Sequence, residues 1–140
     1  MPIGKWQQSQ KPNLSDWVND DYYAVILGNE VTMTDLIATR AAIVGSSNIK
    51  VDAIAVPSKS INVSGGAHQY RHGDIDYGSS LSVTGGKYAA ILKGDPASVS
   101  GTDPIVGWVD LDTSGGTVSA TSLIIRADAT NGLISLAQSN

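Results

Sequence analysis

Apolar residues fall in short runs along this chain, mostly with the period of a strand and once with the period of a helix. The strongest run is Tyr22–Leu27, Tyr-Tyr-Ala-Val-Ile-Leu, which is apolar without a break and stops at Gly28-Asn29. An uninterrupted run of that length predicts a strand buried on both faces. Residues 34–44 carry the helical period: Leu36, Ile37, Arg40, Ala41 and Val44 share one side. Thr34 can cap that helix, Asp35 suits its first turn, and Gly45 suits the left-handed position after its last. The alternative for this segment is an irregular excursion with a single helical turn. After Gly45 the period changes. Ile49, Val51, Ala53 and Ala55 alternate with Lys50, Asp52, Ile54 and Val56 until Pro57 ends the run.

Short strands are predicted from there at 60–63, 68–71, 74–77, 87–92, 105–111, 117–120, 122–127 and 133–137, with Gly, Pro, Ser and Asn between them. Strands spaced about 8–12 residues apart point to an all-β fold, mainly an antiparallel β-sandwich or barrel, here with one short helix. Three glycine pairs each follow a hydroxyl residue: Ser64-Gly65-Gly66, Thr84-Gly85-Gly86 and Ser114-Gly115-Gly116. They read as hairpin turns, where positive φ is required. A phosphate-binding loop would need a helix to follow, and strands follow instead.

Residues 1–19 break the pattern. They are polar and irregular, and Pro12 forbids a helix running through them. The expected organisation is therefore an extended N-terminal arm, 1–19, on a single β domain, 20–140. Trp6 and Trp17 are the exceptions in this polar arm. An aromatic there has the character of a docking anchor, so both are candidate partner-binding residues. The alternatives are packing back onto the domain, or a loose terminus.

Composition narrows the picture further. A chain of 140 residues suits one domain and buries roughly two-thirds of its unfolded surface. It has no cysteine, so no disulfide framework and no thiolate chemistry. With 13 acids against 9 scattered bases the net charge is −4, which offers no basic face to nucleic acid. No apolar run approaches the roughly 20 residues of a membrane span, and no signal-peptide core is evident near Met1.

The search for chemistry returns near-misses. His68 and His72 have the spacing of two zinc ligands on a helix, but glycines flank them. In a strand they would lie about 13 Å apart. Asp74-Ile75-Asp76-Tyr77-Gly78 starts like a calcium loop, yet Gly78 is one place early and Gly85 stands where the bidentate Glu belongs. Asp95, Asp103, Asp110 and Asp112 are further oxygen donors near turns, and the bland reading is that they cap those turns. There is no Gly-x-Ser-x-Gly elbow, and Glu30 is the sole glutamate. Trp108, inside an apolar run, is expected in the core. The expectation is a non-enzymatic protein with no cofactor and no metal.

Residues 87–112 add a resemblance. An aliphatic strand ending in charge, Lys87-Tyr88-Ala89-Ala90-Ile91-Leu92-Lys93-Gly94-Asp95, leads through a Ser/Gly/Thr/Asp loop to Pro104-Ile105-Val106-Gly107-Trp108-Val109-Asp110. This resembles small virion structural proteins of tailed bacteriophages. Ser15-Asp16-Trp17-Val18-Asn19-Asp20 ahead of the first strand is similar to that family's opening. Gly115-Gly116-Thr117-Val118 and Asn131-Gly132-Leu133-Ile134-Ser135-Leu136 are similar to its final strands. Segment 34–44 departs from it. The resemblance implies a capsid decoration or cement subunit made in the host cytoplasm and carried on the virion. Its partner would be the major capsid protein, and it would self-associate as a homo-oligomer such as a trimer. A tail or fibre subunit is one alternative. A carbohydrate- or receptor-binding β-sandwich, built on an exposed aromatic platform, is another.

Overall fold

The computed structural model describes residues 5–6, 10, 12–30, 32–34, 37–43, 48–64, 67–78, 83–111, 116, 118–120 and 124–125. Among them the fold is all-β, with one short helix and antiparallel pairing throughout. The elements are β1 (Lys5–Trp6), α1 (Leu14–Asn19), β2 (Tyr22–Leu27), β3 (Ile49–Ala55), β4 (Ser60–Ser64), β5 (Ala67–Arg71), β6 (Ile75–Asp76), β7 (Val83–Gly86), β8 (Tyr88–Lys93), β9 (Ile105–Asp110), β10 (Val118–Ala120) and β11 (Ile124–Ile125). A five-stranded sheet runs β1-β9-β8-β2-β3, and β10-β7, β11-β6 and β4-β5 form two-stranded ladders.

The central strand is the one the sequence marks most clearly. Every residue of β2 is buried, because both faces of the sheet are covered. On one face Tyr22, Ala24 and Ile26 meet Ala89, Ile91 and Val106, under Trp17, Tyr70, Ile75, Tyr77 and Val83. That layer comes from α1 and the short ladders, and it makes the fold sandwich-like. On the other face Tyr23, Val25 and Leu27 meet Ala90, Leu92, Ile105 and Trp108. Met33, Ile37 and Ile43 cover them.

Two bulges explain departures from strict alternation. Ile91 pairs with Gly107 but Leu92 pairs with Ile105, so Val106 is an extra residue. It turns Ile105 and Trp108, which have opposite parity, to the same face. In β3, Ala24 pairs with Ile54 but Ile26 with Val51. The alternation expected of Ile49, Val51, Ala53 and Ala55 is thereby corrected. Ile49 and Ala53 face one core, while Val51 and Ile54 face the other.

The helix is not where the 34–44 pattern predicts it. Among the described residues of that segment the helical part is one 3-10 turn, Arg40–Ala42, and Thr39 before it is extended and bridges Pro104. The Arg40 and Ala41 amides donate across the chain to the carbonyls of Asp103 and Gly101, both at 2.9 Å. Tertiary pairing has taken the donors a helix would use. Val44 and Gly45 lie outside the described residues.

Of the predicted turns, the first glycine pair, Gly65-Gly66, lies outside the described residues; Ser64 before it pairs with Ala67 after it. The second is corrected. Gly85 and Gly86 belong to β7, with Gly85 at φ +73° and Gly86 paired to Val118. Gly115 and the predicted strand 133–137 lie outside the described residues.

Candidate functional site

The N-terminal stretch, expected to be an arm, is built into the domain from Pro12 onward. Asn13 caps α1 by accepting the Asp16 amide at 2.8 Å. The helix turns Trp17 inward, leaving Leu14 and Val18 outward at 37% and 45% exposure. Trp17 itself is 0% exposed. Its Nε1 donates to the Arg71 carbonyl at 3.1 Å, and its ring packs on Tyr22 and Tyr70 at 4.9 and 6.0 Å between centroids. The Tyr70 hydroxyl donates to the Pro12 carbonyl at 2.8 Å. A side chain with no free area cannot anchor a partner, so the expectation for Trp17 is corrected, as is the domain boundary at residue 19. The sequence signal for this was Asn13-x-x-Asp16 with Leu14, Trp17 and Val18 at helical spacing.

Trp6 takes another role. Its backbone lies in β1, where Lys5 pairs with Trp108 and Trp6 with Gly107. Its side chain lies outside the described residues. Further along, the Gln10 side-chain amide donates to the carbonyls of Ile105 (2.5 Å) and Ala38 (3.0 Å). Lys5, Trp6 and Gln10 thus all meet β9. Beside Gln10 is an open groove of about 350 Å³ lined by Gln10, Pro12, Asp16, Tyr22, Lys93 and Val106, among others. Lys93, on its lining, pairs with Asp20 at 3.1 Å and Asp16 at 3.5 Å. The hydrogen bond to Asp20, before all else, raises its pKa. Its cation is therefore occupied within the chain.

The remaining candidate groups serve structure. All five tyrosines are buried, as are Trp17 and Trp108, so none of these seven rings forms the aromatic platform a sugar-binding module needs. Asp76 and Asp95 accept from the amides two residues ahead, at 2.8 and 2.9 Å. Asp103 accepts from Ser100 N at 2.9 Å and from the Tyr23 hydroxyl at 2.7 Å. Burial, with the Asp103 bond second, pushes the Tyr23 pKa up to about 12. Arg40 makes a bidentate pair with Asp52, at 3.0 and 2.7 Å, and holds that carboxyl below its ordinary range. These bonds strap segment 37–43 to the sheet. No group of three metal-ligating side chains occurs among the described residues.

The two histidines diverge. His68 is exposed on β5 opposite Val63. His72 is buried, its Nδ1 meeting the Gly73 carbonyl and its Nε2 without a partner among the described residues. Burial lowers its pKa, against smaller opposing effects of Gly73 and Asp74.

Comparison with known protein families, with curated proteins and with solved structures gives no match to this chain.

Proposed function

We propose that the chain is a structural subunit of a tailed-phage virion, bound to the major capsid protein lattice as a decoration or cement protein. One observation carries this reading. His68 apart, the side chains that the sequence singled out as bearing chemistry are largely spent on the fold where described: Trp17, Trp108 and the tyrosines in cores, Arg40 and Asp103 in straps, Asp76 and Asp95 in turns. What is left to a partner is surface: outward Leu14 and Val18, the hairpin valine Val63 at 64% exposure, and a sheet edge. The residues behind the phage resemblance, 87–112, make β8, its loop and β9 at the heart of the sheet, so they speak to architecture.

A cement role suits weak individual contacts, because many lattice copies multiply their effect. The test is co-sedimentation of the purified protein with capsids that lack it, and in parallel with tails. Saturable binding to capsids supports the proposal. Binding to tails alone moves the subunit to the tail, and binding to neither sinks the virion reading.

A further inference from the structure

The loop between β8 and β9 contains both Asp–Pro bonds of the chain, Asp95–Pro96 and Asp103–Pro104. Such a bond is chemically weak in acid. The proline nitrogen is that of a tertiary amide, without a hydrogen, and it leaves readily once it takes a proton. An aspartic side chain has the length to attack its own carbonyl carbon and close a five-membered ring. The two bonds share this chemistry, so a difference between them comes from the fold.

The fold holds them differently. At Asp95, Oδ1 accepts the Ala97 amide at 2.9 Å, and the backbone carbonyl accepts the Ser98 amide at 3.0 Å. The ring closed by each of these hydrogen bonds contains the Asp95–Pro96 bond itself. The first keeps the carboxyl beside that bond, and the second polarises the carbonyl that would be attacked. Asp95 is exposed, so water reaches it. At Asp103 the carboxyl is committed elsewhere. Its Oδ2 accepts both the Ser100 amide at 2.9 Å and the Tyr23 hydroxyl at 2.7 Å. The ring closed by the Ser100 bond runs back through residues 100–103 and leaves out the Asp103–Pro104 bond. Gly94 packs on the same carboxyl, so closely that a Cβ there would lie 2.8 Å from it.

We propose that Asp95–Pro96 is a self-scission site, at which the folded chain cuts itself in acid while Asp103–Pro104 stays intact. The protonated Asp95 carboxyl adds through one oxygen to its own carbonyl carbon. The new C–O bond closes a cyclic anhydride, the C–N bond breaks, and the Pro96 nitrogen leaves with the carboxyl proton. Water then opens the anhydride. The net reaction is hydrolysis, to one piece ending in Asp95 and another beginning at Pro96. The pieces stay together, because β8 and β9 remain joined by five residue pairs. Scission thus frees the loop without dismantling the sheet. The inference goes beyond the proposed function and does not rest on it.

The test uses the wild-type chain in the most acidic buffer that leaves its near-ultraviolet circular dichroism native, and in the same buffer with enough urea to unfold it. Intact masses are then read under denaturing conditions. In the folded chain, scission after Asp95 should be at least about tenfold faster than after Asp103. In urea the two rates should be nearly equal. Asp95→Asn keeps the turn acceptor but removes the acid, and should yield no fragment ending at residue 95. Equal rates in the folded chain, faster scission after Asp103, or no scission overturns the proposal. So does a preference of the same size in urea, which would trace it to local sequence and not to the fold.

Discussion

At Trp17 a single side chain ties the amino-terminal stretch to the domain, and the sequence misled there. A tryptophan between Asp16 and Val18 in a polar stretch resembles an exposed anchor, because burial depends on a helix only six residues long. Trp17→Ala should cost about 3–5 kcal/mol, since it empties a fully buried aromatic site. Urea unfolding measures this, and an unchanged midpoint would mean the ring is not core. His72 makes a second residue-scale prediction. Burial depresses its pKa below 6.5, so the unfolded chain takes up a proton the folded chain resists. Stability is then level above about pH 6.5 and falls as pH drops through that value toward the folded pKa. Urea midpoints at pH 7.5, 6.0 and 5.0 should trace the decline, and His72→Gln should flatten it. Asp52 acts lower: its carboxyl is depressed, so its contribution is present above about pH 4 and disappears on further acidification.

Elements were legible where one period dominates. The strands at 22–27, 49–55, 60–64 and 105–110 coincide closely with their apolar patterns, because burial of alternate or all side chains is what a sheet imposes. What lay beyond the pattern was long-range. The 34–44 segment has a helical period, yet Arg40 and Ala41 donate to a loop sixty residues later in the chain. The Val106 bulge likewise exists only relative to β8. Conversely α1 was missed although its cap is local. Asn13→Ala should lower stability by about 1 kcal/mol, read from thermal or urea melts, and Asn13→Asp should retain most of it. Deleting Val106 should be far more damaging than shortening a loop. It would leave Ile105 opposite Leu92 but remove a buried side chain from the layer that Trp17 covers, and the expected outcome is a clearly lowered urea midpoint.

For the molecule as a whole, the boundary of what can be removed shifts. An arm ending at residue 19 would be dispensable. The structure instead places Trp17 and the Asn13 cap within the fold. A chain lacking 1–9 should keep a cooperative melt, whereas one lacking 1–19 should not; calorimetry of the two distinguishes the cases. Capsid assays therefore belong to the shorter deletion. The fully buried β2 carries one more consequence, for synthesis of the chain. Tyr22–Leu27 leaves the ribosome ahead of its partner β8, which ends at Lys93, 66 residues after Leu27. At about 5–20 residues per second the wait is roughly 3–13 s. Throughout that interval β2 lacks the strand that pairs along its whole length, although the residues that cover its two faces, Met33 and Ile43 on one and Trp17, Tyr70 and Val83 on the other, are made before that strand. Premature termination between residues 83 and 88 should therefore leave a chain that aggregates through the unpaired edge of β2, which sedimentation of the truncated product measures.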